Sequence, residues 1–316
     1  MMHGDGIPLL FEYTDDRSHF CFVGMKADIA QSNQFSGLIE KNTWYDLETP
    51  YGYGGPLTDG VIGEDSQKKF SEELREYCLS EGIVSLFVRF HPFLENQAAM
   101  PLVFETRYMR DTIYIDTESP ETIMNNLDAK NRNVIRKAVR CGVSVDRRPV
   151  SSYEEFLSMY EETMLKDQAE PYYWFHADYF ESQKELAENA AYFYAMLNDK
   201  PIAGTLIYFN DRFAHYHLAG MHTDFKAYAP GNLLLYHVAC WASELGIRRF
   251  HLGGGMSPED TLFAFKKKFN KNGRLPFHIG RVITDQKKYD RLIQIRKQNN
   301  AEFNMDNTRM IQYRAE

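Results

Sequence analysis

The chain contains a strand-like segment that ends in consecutive glycines, His251-Leu252-Gly253-Gly254-Gly255. Glycine has no Cβ, so the backbone N–H groups at such a strand end can approach a ligand closely. An amphipathic segment, residues 262–269 (LFAFKKKF), follows and brings a cluster of lysines to the same opening. Together these features indicate polar chemistry on an acyl or phosphate group. The alternative is a flexible turn before a surface helix whose lysines are solvated.

The segment that must position these groups alternates between helical and strand patterns. Apolar residues at spacings of three and four predict helices over residues 153–166, 176–189 and 231–245. Between the last two helices, alternating apolar residues predict an antiparallel meander of strands over 191–197, 201–209 and 213–218. A further strand over 247–252 leads into the glycines. The predicted order is therefore helix, helix, three strands, helix, strand and helix.

Earlier in the chain, the same patterns predict a helix over 67–79, a strand over 83–90 and a short strand over 112–116. Ser119-Pro120-Glu121 has the residue types of a helix start, so we expect one helix from 119 to about 141, ended by Gly142. Its arginines recur every four residues on one stripe, at Arg132, Arg136 and Arg140. The stripe is either a solvated helix face or the wall of a groove for a phosphate-bearing substrate.

Composition narrows the class of protein. With 316 residues, of which 44% are hydrophobic and 25% charged, the chain can bury a full core and is expected to form two domains. A formal net charge of −8 disfavours DNA or RNA as an extended primary ligand, because phosphates require a positive contact surface.

Cysteine spacing and hydropathy indicate where in the cell the protein is expected. The four cysteines lie far apart and have neither metal-ligand nor disulfide-framework spacing, which predicts reduced thiols and no metal site. No run of apolar residues approaches the length of a membrane span, and no signal peptide is recognisable. We therefore expect a cytoplasmic protein.

Several motifs together resemble those of GNAT N-acyltransferases, in the branch that contains the Fem peptidoglycan-bridge aminoacyltransferases and the BioF2-like enzymes. The segments that carry the resemblance are residues 131–138 (NRNVIRKA) with Gly142-Val143, Gly231-Asn232 at a helix start, residues 251–254 (HLGG) and residues 262–269 (LFAFKKKF). In the first half, residues 44–47 (WYDL) and 51–56 (YGYGGP) are also similar to this branch. The likeness therefore covers nearly the whole chain.

The resemblance implies an α/β (α+β) fold of tandem GNAT-like acyltransferase domains, with mixed sheets flanked by helices. We expect an N-terminal GNAT-like half over residues 1–117, a C-terminal acyltransferase domain over 118–290, and a polar, exposed tail over 291–316. The implied activity is an N-acyltransferase that forms an amide on an amino group of a cell-wall precursor, an amino sugar or a similar metabolite. A catalytically inactive ligand-binding module of the same fold is the alternative. The oligomeric state does not follow from the sequence.

The acyl donor is not decided by the resemblance. GNAT enzymes hold the pyrophosphate of coenzyme A with a loop of the form R/Q-x-x-G-x-G/A, and the corresponding residues here are Lys226-Ala227-Tyr228-Ala229-Pro230-Gly231. Only the final glycine is kept, and Pro230 removes one N–H donor. The Fem enzymes use aminoacyl-tRNA instead. Acyl-CoA and charged tRNA therefore both remain as co-substrates, and no tightly bound cofactor is implied.

Acyl transfer to an amine requires a proton acceptor and stabilisation of the developing oxyanion. By family position, Lys266 is expected to stabilise the donor's carbonyl or phosphate, with Lys267 as the fallback; a surface lysine is the alternative. His215 and His217 alternate on one side of a predicted strand, and His217 is the expected base, with Asp224 as a comparable candidate. A structural core histidine is the alternative. The expected substrate- or donor-binding residues are Arg132, Arg136, Lys226, Gly231, Asn232, Gly253, Gly254, Phe265, Lys267, Tyr51 and Tyr53.

Overall fold

The computed structural model describes residues 6–60 and 62–315. Of these residues, those up to Arg110 and those from Pro276 onward form one compact unit, called the first unit below. Asp111–Leu275 forms the second unit.

The strands are β1 (Ile7–Thr14), β2 (Ser18–Asp28), β3 (Tyr45–Glu48), β4 (Leu57–Gly60), β5 (Ile83–Arg89), β6 (Glu105–Asp116), β7 (Ser144–Pro149), β8 (Ala190–Leu197), β9 (Lys200–Phe209), β10 (Phe213–Met221), β11 (Arg249–Gly253) and β12 (Arg274–Ile283). The helices are α1 (Glu64–Ser80), α2 (Pro120–Asn126), α3 (Ala129–Arg140), α4 (Glu154–Lys166), α5 (Ala177–Ser182), α6 (Pro230–Glu244), α7 (Thr261–Lys267) and α8 (Gln286–Asn299).

The first unit is built on a mixed sheet in the order β1, β2, β3, β5 and β12, with β4 also paired to β2. The β3–β5 pair is parallel, and the other pairs are antiparallel. Helix α1 buries Phe70, Leu74 and Cys78, the apolar stripe that predicted it, in the same core as β2 and β5. Gly82 ends this helix region with a φ of +69°, a conformation that glycine adopts without a Cβ clash.

The residues from 291 onward are not an exposed tail, so this prediction was wrong. Helix α8 and the segment after it form a second apolar cluster of the first unit, in which Phe303 is 1% exposed and Tyr313 is 0% exposed. The Tyr313 hydroxyl and the Arg314 guanidinium both donate hydrogen bonds to the Asp46 carboxylate. The sequence analysis overlooked the helical spacing of Tyr289, Leu292 and Ile293 in α8. The buried residues after this helix, such as Phe303 and Tyr313, are widely spaced and show no period. Residues 276–290, placed in the second domain by the sequence, also pack with the first unit.

The second unit has a sheet in the order β6, β11, β10, β9, β8 and β7. Strands β8, β9 and β10 pair antiparallel in sequence order, which confirms the predicted meander. Its turn, Asn198-Asp199, has positive φ at both residues, as a tight two-residue hairpin requires. Helix α6 packs on this sheet through buried residues that include Leu235 and Val238. The mixed sheet flanked by helices confirms the predicted α/β fold class.

The single helix expected over residues 119–141 is interrupted. Helix α2 ends at Asn126, Leu127 is extended, and α3 begins after Asp128, whose side chain accepts hydrogen bonds from the N–H groups of Lys130 and Asn131. Aspartate is a strong N-cap residue, so Asp128 starts a new helix inside a pattern that is apolar at helical spacing throughout. The helix predicted over 176–189 is also shorter, because only Ala177–Ser182 is α-helical.

Among the described residues, no helix has the length and apolar character needed to cross a bilayer. The same residues contain no group of three or more His, Cys, Asp or Glu side chains arranged to hold a metal ion.

Candidate functional site

The parallel strands β10 and β11 pair over only part of their length. Residues 213–215 of β10 lie opposite residues 249–251 of β11, and His215 faces His251 at the last paired position. Beyond it, β10 continues to Met221 along β9, while Gly253 of β11 pairs with Ile113 of β6. The two strands of the sheet therefore separate after His215 and His251. Backbone groups of both strands become available to a ligand at this opening.

Lys266 lies on α7, and its ammonium reaches the end of β11. It is 7% exposed, and its ammonium donates a hydrogen bond to the carbonyl oxygen of Gly254 over 2.7 Å. The same ammonium is 5.7 Å from the ring centroid of Tyr216 on β10. Burial lowers the pKa of Lys266 to about 8, although the nearby Asp260 carboxylate raises it in part. A buried cation therefore lies at the glycine-rich strand end.

The glycines allow α7 to start close to this strand end. Gly253 has a φ of +75°, in the left-handed region that favours glycine. A Cβ on Gly255 would lie 2.1 Å from Oδ1 of Asp260, and Asp260 caps α7 by accepting a hydrogen bond from the Phe263 N–H. Residue 255 must therefore be small for the cap to form, and the cap sets the position from which Lys266 reaches Gly254. Phe265 is half-buried and packs against the core of the second unit.

Helix α6 begins at Pro230, after a short 3-10 helix that follows β10, and it has no side-chain cap. Its N-cap residue, Ala229, has φ +53° and ψ +47°, a left-handed conformation. A Cβ on Gly231 would meet no atom within 4 Å, so there is open space beside this residue. Asn232 donates a hydrogen bond from Nδ2 to Oδ1 of buried Asn131, over 2.7 Å, which ties α6 to α3. The dipole and N–H groups of such a helix start favour an anion.

The segment between β10 and α6 is fixed by a carboxylate that the sequence analysis missed. Glu162 on α4 accepts hydrogen bonds from His222 Nδ1 over 2.7 Å and from the Thr223 N–H over 2.6 Å. The bond from His222 contributes most to lowering the pKa of Glu162 to about 2. Asp224 and Lys226 follow on a short 3-10 helix, and both are exposed. No motif signals this clamp, because Glu162 is one of several acidic residues on a surface helix.

His217 lies on the face of β10 opposite to Tyr216 and Lys266. Its Nε2 forms a hydrogen bond with the Tyr179 hydroxyl over 2.5 Å, and its ring stacks on Tyr208 at a centroid distance of 4.2 Å. Burial first, and then the neighbouring His215, lower the pKa of His217 well below its ordinary value. The structure therefore does not bring His217 and Lys266 into contact, and the two lie on the two faces of one strand.

His215 and His251 form a pair that the sequence analysis did not single out. Their Nδ1 atoms are 3.1 Å apart, and Nε2 of His251 lies 2.9 Å from Oγ1 of Thr112 on β6. His251 is 1% exposed. The parallel pairing of β10 with β11 creates this contact, and a sequence shows neither which strands pair nor their register.

Residues 126–267 match the family model described as an Acetyltransferase (GNAT) domain. The second unit carries a GNAT domain. This confirms the predicted resemblance, and it supports acyl transfer as the general class of activity. No curated protein sequence gives a significant match to this chain.

Solved structures extend the likeness in fold beyond the GNAT domain. FemX is similar over 90% of this chain and 89% of its own, with 13% identity and a TM-score of 0.64. L-PGS from Bacillus licheniformis is similar over 88% of this chain and 85% of its own, with 14% identity and a TM-score of 0.57. At these identities the similarity shows the fold.

Two residues of the basic stripe on α3 of the GNAT domain differ in their surroundings. Arg132 donates hydrogen bonds from Nη1 to the carbonyl oxygens of Met124 and Leu127, at 3.2 Å and 2.8 Å, so it secures the break between α2 and α3. Arg136 is exposed. Of the two, only Arg136 presents its side chain to solvent in the way that a phosphate-binding residue must.

Tyr51 and Tyr53 belong to the first unit. The ring of Tyr53 packs edge-on against Phe277 at 5.2 Å, and against His91 at 6.1 Å. Burial is the main cause of two pKa shifts here. It raises the pKa of Tyr53, and it lowers the pKa of His91 to about 4. Tyr53 thus lies in an aromatic cluster. Lys267, the fallback for Lys266, is half-buried on α7.

Proposed function

We propose that this chain is an N-acyltransferase in which an amine attacks the carbonyl of an activated acyl donor directly. The observation that carries the proposal is the opening between β10 and β11, which has buried Lys266 on one face and imidazole side chains on the other. A carbonyl placed in this opening would have a cation on one side and proton acceptors on the other. These are the two needs of amide formation without a covalent enzyme intermediate.

The role proposed for Lys266 is to stabilise negative charge on the carbonyl oxygen of the donor. One of its N–H groups is already oriented by the Gly254 carbonyl, so the ammonium is held in place before substrate binds. Burial strengthens its interaction with an oxyanion, because the local dielectric constant is low. The ammonium form predominates below its pKa of about 8.

The proposed site for the phosphates of the donor is the first turn of α6, beside Gly231, with Lys226 and Arg136 as the proposed cations. Acyl-CoA and aminoacyl-tRNA both have phosphates and an activated carbonyl, and both occur in the cytoplasm, where we place the protein. Ala229 occupies the first glycine position of the GNAT phosphate loop and keeps a left-handed backbone there. The proposed acceptor is the amino group of a cell-wall precursor, an amino sugar or a similar metabolite.

The test is an acyl-transfer assay with purified protein and a panel of amines of these classes. Thiol release from acetyl-CoA is measured in one arm, and transfer of a labelled amino acid from charged tRNA in the other. We expect turnover with one donor and loss of turnover in Lys266→Ala, with the exposed neighbour Lys268→Ala as the matched control. Binding of neither donor, measured by calorimetry, would refute the proposal.

A further inference from the structure

Three side chains of the second unit form a continuous series of hydrogen-bonded groups that ends at the strand opening. Thr112 on β6 contacts His251 on β11, and His251 contacts His215 on β10. Each contact joins neighbouring strands of the sheet. His215 occupies the last paired position before β10 and β11 separate, so it is the member at the opening.

The direction of these hydrogen bonds follows from the other partner of Thr112. The Thr112 hydroxyl donates to the carbonyl oxygen of Leu275 over 3.3 Å. A hydroxyl has one proton, so toward His251 the Thr112 oxygen must act as an acceptor. His251 therefore carries its proton on Nε2, and its Nδ1 is an acceptor.

The same reasoning fixes His215. Because Nδ1 of His251 accepts, Nδ1 of His215 must carry the proton that joins the two rings. In neutral His215 the remaining nitrogen, Nε2, is then a proton acceptor. When Nε2 takes up a proton, the bond from Nδ1 to His251 is kept, so the imidazolium is stabilised by the same series.

We propose that His215 is the proton acceptor of the reaction, through Nε2, and that His251 and Thr112 are positioning residues that set its tautomer. This proposal rests on the proposed N-acyltransferase function. As the amine nitrogen forms its bond to the acyl carbon, its proton passes to His215 Nε2, and the C–S bond of a thioester or the C–O bond of an ester breaks. The His215 imidazolium returns the proton to the leaving thiolate or alkoxide.

His217, the base expected from the sequence, is less suited to this role. Its Nε2 is engaged by Tyr179, and its ring is covered by Tyr208. The lowered pKa of His217 also makes it a weak proton acceptor. The titratable groups beside His215 are His217 on β10, His251 on β11 and Tyr208 on β9. One step further away, Tyr114 on β6 pairs with His251, and Tyr179 on α5 contacts His217.

The tautomers can be measured independently of activity. In protein labelled with 15N-histidine, long-range 1H–15N correlation spectra report which ring nitrogen carries the proton, and His215→Gln and His251→Gln assign the signals. We expect His251 protonated on Nε2 and His215 on Nδ1. A neutral His215 protonated on Nε2 would overturn this proposal and leave the proposed function untouched.

Kinetics then test the role of the series. His215→Ala should lower kcat by about 100-fold to 10,000-fold, the range for loss of a general base, with an unchanged Kd for the donor. Thr112→Val should lower kcat and shift the acidic limb of its pH profile, and Thr112→Ser, which keeps the hydroxyl, should restore both. A larger loss of kcat in His217→Ala than in His215→Ala would overturn the assignment. Absence of turnover in the wild-type protein with every donor would instead refute the proposed function.

Discussion

Each unit contains a cluster of buried polar groups, and the two clusters differ in whether their buried charges form ion pairs. In the first unit, the Asp46 carboxylate, whose side chain is 13% exposed, forms an ion pair with Arg314 and accepts hydrogen bonds from Arg314 and Tyr313. In the second unit, Lys266 is 7% exposed and forms no ion pair with any described residue. The first cluster compensates its charges. In the second, the cation is hydrogen-bonded to a carbonyl oxygen and forms no ion pair with a described carboxylate.

The difference separates a structural role from a functional one. A buried charge is costly unless it is paired, and pairing in the Asp46 cluster secures the C-terminal segment on the first unit. The incomplete compensation of Lys266 lowers the stability of the fold, and its pKa shift records that cost. Such a cost is expected where a ligand supplies the missing negative charge.

The largest expected effect is on catalysis by Lys266. In Lys266→Met, kcat should fall by roughly 100-fold to 1,000-fold, the range for loss of one oxyanion-stabilising donor. The free energy of unfolding should stay constant or rise, because a buried charge is removed. Denaturant titration and steady-state kinetics measure both. If Lys266→Met unfolded the protein, Lys266 would belong with the structural cluster and the comparison would fail.

Asp46→Asn, unlike Lys266→Met, is expected to lower the stability of the protein. The variant leaves the Arg314 guanidinium without its ion-pair partner, so the free energy of unfolding should fall by about 3 kcal/mol. Asp16→Asn, at an exposed turn, is the control and should change little. Denaturant titration followed by circular dichroism gives the difference, and equal stabilities of the two variants would contradict the structural role.

The free-energy cost of burying the Lys266 ammonium should be visible in the pH dependence of stability. Its pKa is lowered from 10.5 to about 8 in the folded state, so below pH 8 the lysine is charged in both states and the folded state bears the desolvation cost. Between about pH 8 and 10.5, only the unfolded state keeps the proton, so the free energy of unfolding should rise, by up to about 3 kcal/mol.

The control for this pH effect is Lys266→Met, which should lack the rise. Activity should move the other way, because it needs the ammonium and should decline as pH increases through about 8. A stability difference between wild type and Lys266→Met that is independent of pH would contradict the assigned shift.

The smallest effect concerns the arginines of α3. Arg132→Met removes two hydrogen bonds to backbone carbonyls and should lower the free energy of unfolding by about 1 to 2 kcal/mol, while Arg136→Met should leave it within about 0.5 kcal/mol. In donor-binding titrations, Arg136→Met should weaken affinity. Equal stabilities for the two variants would show that the stripe is uniformly solvated.

Sequence patterns predicted the elements better than their connections. Periodicity identified α1, α4, α6 and the β8 to β10 meander, because each buries one apolar face against its neighbours. The break at Asp128 was not predicted, because the N-cap of α3 interrupts a pattern that is periodic throughout. The packing of Tyr313 was not predicted, because its contact with Asp46 joins residues that are distant in the sequence.

The candidate site was predictable only where it is local. The convergence of Lys266 with the glycines follows from one strand, one turn and one helix, which adjoin in the sequence. The Thr112, His251 and His215 series joins β6 to β10 and β11, which lie far from it in the chain, and its members have no distinctive spacing. Such a series depends on sheet order and register, which the sequence alone does not reveal.

The left-handed backbone at Ala229 bears on how the phosphate-loop motif is interpreted. Alanine stands at the position of the first glycine of the motif, yet its backbone has φ +53° and ψ +47°, a conformation that glycine adopts more readily. Alanine tolerates this conformation at a modest energetic cost. The backbone shape at this helix start is therefore held by its surroundings rather than by the residue type at position 229.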